Sequence, residues 1–156
     1  MPVCFFCQYE LLNRGKDYGE LGRAELCGAL DALFAASDAF SLVTVTKHPY
    51  AERIYCVHDA LLQPLAPFLI AQKAGVREWL YTQTRDCHRA LNMYRACAAA
   101  RERLKVMGNI FDIAQGLPED LCFYRAGQAA FYTVTHEEMA FISADLAEKG
   151  QLAAYR

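Results

Sequence analysis

The sequence predicts an α+β fold: an antiparallel or mixed β-sheet, with hairpins near 40–58 and 121–135, packed against three or four helices. Three observations carry this. Strand-like and helix-like stretches are mixed without regular β-α-β alternation. The runs 40–46, 121–125 and 131–135 are rich in β-branched and aromatic residues. The runs 20–37 and 86–107 are rich in leucine and alanine, which favour helix.

Residues 2–12 are apolar, and their period does not choose between a buried strand and a short helix. Lys16 to Gly22 contains two glycines and reads as a loop. Glu20 to Ser37 reads as a helix, because Leu26, Leu30, Leu33 and Phe34 recur near the helical period. Phe40 to Thr46 reads as a strand. Lys47-His48-Pro49-Tyr50 supplies a turn, and Arg53 to His58 is the expected returning strand. Pro64 and Pro67 place the next helix at 64–74, with Gly75 just beyond its end. Val76 to Thr82 reads as a short strand.

Asp86 to Met107 reads as the longest helix, with Leu91, Tyr94, Ala98 and Leu104 on its inner face. Leu121–Arg125 and Phe131–Thr135 are expected to pair around Ala126-Gly127, since glycine accepts positive φ. Thr135-His136-Glu137-Glu138 has the spacing of a capping box. It predicts a final helix to Lys149, with Met139, Ile142 and Leu146 as its apolar stripe.

A chain of 156 residues fits a single domain spanning 1–156. Its 54% hydrophobic content can fill a core without metals or staples, and its 22% charged content argues against disorder. The net charge of −2 gives no overall pull toward nucleic acid or an anionic membrane. No apolar run approaches the ~20 residues of a membrane-spanning helix. The N-terminus has no Lys or Arg before its short apolar stretch, so a signal peptide is not expected. Seven cysteines, an odd number, mostly scattered singly, fit reduced thiols in a cytoplasmic protein better than a disulfide framework.

Reactive candidates are sparse. Cys4-Phe5-Phe6-Cys7 has the spacing of a redox or zinc pair. No strand can precede it, and no second ligand pair follows in sequence, so core filling is the expected role. His136-Glu137 begins an H-E-x-x-H pattern, but position 140 is alanine and the second imidazole is missing. Cys56 and His58 would share a face of a strand, with Asp59 next. Catalytic sets are usually assembled from separate segments, which weakens this one. Cys87-His88 is weaker, because adjacent helical residues diverge. Phosphate-loop, dinucleotide and nucleophile-elbow signatures are absent from the sequence.

Charge is segregated. From Arg85 to Lys105 six cations face two carboxylates, a net +4 that leaves −6 for the remainder. On a helix, Arg85 and Arg89 would share a face and could dock an acidic protein. Few aromatics interleave there, which disfavours nucleic acid.

The expected function is therefore a non-catalytic module that binds a protein partner or a second copy of itself. The alternative is a small-molecule binder or enzyme with a pocket between sheet and helices, drawing on Cys56, His58, His88, His136 and Glu137. A third reading is metal binding through Cys4 and Cys7. No cofactor is implied.

Overall fold

A computed structural model describes residues 9–12, 23–45, 62–80, 82–106, 118–137, 139–143 and 146. In chain order these form β1 (Tyr9–Leu12), α1 (Arg23–Ala36), β2 (Ala39–Val45) and the single helical turn α2 (62–65). A 3-10 turn (Ala66–Phe68) then leads into β3 (Leu69–Ala74). The two-residue strands β4 (Glu78–Trp79) and β5 (Thr82–Gln83) follow, then β6 (Arg89–Arg95) and α3 (Ala98–Leu104). Last come β7 (Glu119–Arg125), β8 (Gln128–Val134), a 3-10 turn (Thr135–Glu137) and β9 (Met139–Ser143).

Seven of these strands form one sheet in the order β1-β9-β8-β7-β2-β6-β3, antiparallel throughout. β2 is central and is buried from Phe40 to Val45, because both of its faces are covered. Alternation along the strands divides the side chains between those faces. On the first face, Phe40 and Leu42 of β2, Tyr94 of β6, Leu121 and Phe123 of β7 and Ile142 of β9 pack against α1. The helix contributes Leu26, Leu30, Leu33 and Phe34, spaced three or four residues apart as one helical face requires. Leu65 of α2 and Ala100 and Leu104 of α3 complete this core.

Ring pairs order its centre. Phe34 meets Phe40 and Phe123 edge-on at 5.2 and 5.0 Å, and Phe40 stacks on Tyr94 at 5.2 Å. Outside the core, Arg101 and Lys105 of α3 reach Asp31 of α1 at 3.2 and 2.8 Å. A register shift where Phe123 and Tyr124 face Phe131 and Ala129 leaves Ala130 as the extra residue. That bulge explains how consecutive Ala130 and Phe131 both enter the core. Among the described residues no helix is long and apolar enough to cross a membrane.

The expected α1, β2 and β7–β8 hairpin are present within a few residues of their predicted limits. Other expectations are corrected. Among the described residues, β2 pairs with β6 on one edge and with β7 on the other. The proposed return, 53–58, lies outside the described residues. The helix expected at 64–74 is only one turn and a 3-10 turn, because residues 69–74 pair with β6 instead. The single strand at 76–82 is two short strands, β4 and β5, paired with each other.

The helix expected from Asp86 to Met107 is divided, with strand β6 at Arg89–Arg95 and helix only at Ala98–Leu104. Ala90, Asn92 and Tyr94 are buried while Arg89, Leu91 and Met93 are less so, a period of two. The good helix formers there are overridden by pairing on both edges. Asn92 rewards the strand, since its side-chain amide donates to the Leu42 and Ala90 carbonyls and to the Thr44 hydroxyl. Helix begins only at Ala98, after an extended Cys97. The final helix is also displaced. Residues 139–143 form β9 between β8 and β1, and the Thr135 hydroxyl accepts the Asp120 amide instead of capping a helix.

The β7–β8 turn offers a local test. Ala126 has φ +50 and Gly127 has φ +76, the left-handed pair of a two-residue hairpin turn. The Ala126 amide donates to Asp38, so the backbone there is also tied to β2. Alanine is strained in this region and asparagine is not. Ala126→Asn is expected to stabilise the fold by about 0.5–1 kcal/mol in urea unfolding, whereas Gly127→Ala should destabilise it by about 1 kcal/mol or more.

Candidate functional site

Among the described residues no helix covers the second face of the sheet. Across it lies the β4–β5 hairpin, whose entry and turn use left-handed residues, Gly75 at φ +69 and Leu80 at φ +46. The Val76 amide donates to the Arg89 carbonyl, and the Thr84 amide to the Arg77 carbonyl, so the hairpin is closed at its base. Trp79 turns inward and packs on Val43, Val76 and Leu91.

The polar end of that indole reaches Asp120. Its N–H donates to Asp120 Oδ2 at 2.7 Å, and the Thr82 hydroxyl donates to the same oxygen at 3.0 Å. The other oxygen, Oδ1, accepts the Thr135 amide at 2.7 Å, and the Asp120 amide donates to the Thr135 hydroxyl at 2.7 Å. Asp120 is buried and holds φ +50, a conformation that aspartate tolerates better than most residues. One carboxylate therefore pins the hairpin to the start of β7 and the end of β8.

The hairpin leaves two open clefts. The first, about 320 Å³, has a floor of Leu91, Met93, Tyr124 and Ala129, and a wall of Trp79 and Leu80. Lys73, from β3, and Glu78, from β4, also line it. The Tyr124 hydroxyl is already engaged with Ser41 Oγ at 3.0 Å. The second cleft, about 530 Å³, lies between Thr82 and Gln83 on one side and Tyr132, Val134, Met139 and Phe141 on the other. Tyr132 and Phe141 stack there at 4.9 Å, and Glu137 joins the lining.

Among the described residues, those singled out in the sequence are not brought together. Cys4, Cys7, Cys56 and His58 lie outside the described residues. His136 falls in the 3-10 turn, and its neighbour Glu137 is exposed beside the second cleft. Cys87 is exposed and His88 half-buried in the bend before β6, and neither lines a cleft. There the His88 amide donates to Asp86 at 2.9 Å. That bond, helped by Arg89, holds the Asp86 carboxyl below its ordinary value. Both clefts lie on the face opposite the helices, and the helix side of the described structure is filled by core.

Arg85 and Arg89 do not share a helical face, since one sits in a bend and the other on β6. Arg85 is exposed. Arg89 faces the buried Glu119 at 3.5 Å and Asp86 at 3.6 Å, so it balances a carboxylate inside the fold. Cys122 is fully buried, and that burial pushes its thiol well above the ordinary range, far from a nucleophile's needs. No group of three or more His, Cys, Asp or Glu side chains suited to a metal ion occurs among the described residues.

Comparison with protein-family models, with curated proteins and with solved structures finds no match for this chain.

Sequence reasoning missed Asp120, Lys73 and Glu78. Trp79, the single tryptophan of the chain, is in sequence one of many aromatics that could build a pocket, an interface or core. Two measurements test this geometry. Asp120→Ala removes the acceptor of the indole, the Thr82 hydroxyl and the Thr135 amide, and should cost at least ~2 kcal/mol. Trp79 emission should then move to longer wavelength and become more open to acrylamide; unchanged emission would mean that the hairpin is held by other contacts. Arg89→Met should destabilise by about 3 kcal/mol, because it removes the cation facing buried Glu119. Arg85→Glu should leave the urea midpoint within error.

Proposed function

We propose that the chain is a non-catalytic binding protein whose recognition surface is the hairpin-covered face of the sheet. Its Trp79 cleft takes a small ligand with an apolar body. The observation that supports this is how the lining's polar tips are used. The indole N–H is engaged by Asp120 and the Tyr124 hydroxyl by Ser41, so the walls offer ring faces, methylenes and a thioether. A concave lining of this size that combines apolar side chains with a few polar groups is what small-ligand sites use. Neither cleft is lined by a described cysteine or histidine, which favours binding over nucleophilic chemistry. Four described cysteines are free thiols, which supports a reducing, cytoplasmic setting.

Self-association is the second reading, and β3 favours it. This strand is at the edge of the sheet, all six of its residues are exposed, and Leu69 and Ile70 are 42% and 59% exposed. An open edge of this kind can pair with another strand. The irregularity between Leu69 and Ala71, and the charge of Lys73, restrict such pairing.

Because Trp79 is the only tryptophan, its emission reports directly on the first cleft. Titration with 1-anilinonaphthalene, a neutral apolar fluorescent probe, is expected to give saturable energy transfer from Trp79. Ala129→Phe, which projects a ring into the cleft, should abolish it while leaving the circular dichroism unchanged. Probe binding unaffected by Ala129→Phe would remove the cleft from consideration. Native mass spectrometry tests the second reading: a dimer that Ile70→Lys converts to monomer would favour it, and a monomer at micromolar concentration would end it.

A further inference from the structure

The first cleft carries two opposite charges that do not meet. Lys73 closes β3 and Glu78 opens β4, and the tight connection through Gly75 brings both to the same lining. Among the described residues neither enters an ion pair, although other acids and bases of the fold do. Both side chains are exposed, so each can keep its charge in water until a partner arrives. The rest of the lining is apolar, with its aromatic hydroxyl and indole already engaged.

This combination selects a ligand with one apolar group and a head of both signs. A purely anionic amphiphile would meet Glu78, and a purely cationic one would meet Lys73. We propose that the Trp79 cleft binds a free α-amino acid with a hydrophobic side chain. The carboxylate of the ligand faces the Lys73 ammonium, its ammonium faces the Glu78 carboxylate, and its side chain lies against Trp79, Leu91 and Met93. The volume of about 320 Å³ sits at the small end of ligand sites, which suits one amino acid rather than a larger cofactor. Charge-assisted hydrogen bonds at the mouth supply specificity, and apolar contact on the floor supplies affinity. The inference rests on the reading of this cleft as the recognition site.

The test is calorimetric titration of the full chain, with Trp79 emission read in parallel, using L-leucine, 3-methylbutylamine and 4-methylpentanoate. The amine lacks the carboxylate of leucine, and the acid lacks its amino group. L-leucine is expected to bind saturably and each analogue at least tenfold more weakly. Lys73→Met should weaken leucine and spare the amine, while Glu78→Gln should weaken leucine and spare the acid. Equal binding of all three would overturn the zwitterion assignment and leave the apolar cleft standing. Binding of the anilinonaphthalene probe at the cleft with no response to leucine would likewise overturn the assignment alone. If neither leucine nor the probe binds, the cleft reading fails and this proposal with it.

Discussion

Three hydrogen bonds converge on the Asp120 carboxylate, from the Trp79 indole, the Thr82 hydroxyl and the Thr135 amide. The first two come from the β4–β5 hairpin and the third from the end of β8. A buried carboxylate is costly unless its lone pairs are used, and here they are used by groups from separate segments. The arrangement is mutual: the hairpin satisfies the charge, and the charge holds the hairpin against a sheet face that would otherwise be open. Both clefts exist because the hairpin lies between them. Asp120 also holds a left-handed backbone, so the strain of φ +50 is tolerated in exchange for aiming the carboxylate across the sheet.

The other constraint is the burial of β2 on both faces. Its neighbours β6 and β7 come from later in the chain, and the register Phe40↔Tyr94 and Phe40↔Phe123 aligns three aromatic residues across three strands. Once these are level, Phe34 of α1 can meet Phe40 and Phe123 together. The burial of Tyr94 in this layer pushes its phenol up to about 12, so it stays neutral and is compatible with the core. The first face is thereby closed by packing, and both described clefts lie on the second.

What the sequence discloses follows from the range of each signal. α1 is readable because its apolar period is local, and the β7–β8 hairpin because Gly127 marks a positive φ. β6 is not readable, because Ala90, Leu91 and Met93 are as acceptable in a helix as in a strand. Only pairing with β2, nearly fifty residues away in the Asn92 to Thr44 contact, decides between them. The same holds for β9, where the local Thr135 and Glu138 spacing suggested a cap, yet Thr135 serves Asp120 instead. The site is even less legible. Motif reasoning favours cysteine and histidine, whereas the clefts are lined by ordinary apolar residues whose meaning depends on which strands lie side by side.

The proposed recognition face has a specific energetic character. The hairpin is closed at its base by backbone hydrogen bonds and pinned at its tip side by Asp120, so the walls of the first cleft are set before any ligand arrives. Preformed walls reduce the ordering cost of binding, which matters most for a small ligand with few contacts. The polar tips of Trp79 and Tyr124 are engaged by partners within the fold and are not offered to a ligand. In the proposed complex the charged contacts come from Lys73 and Glu78, whose exposed side chains stay hydrated until a ligand arrives. In the proposed complex, an apolar floor beneath two adjustable charges would discriminate by head group at the mouth and tolerate variation in the buried part. This follows from the different costs of mispairing a charge and of changing a methylene.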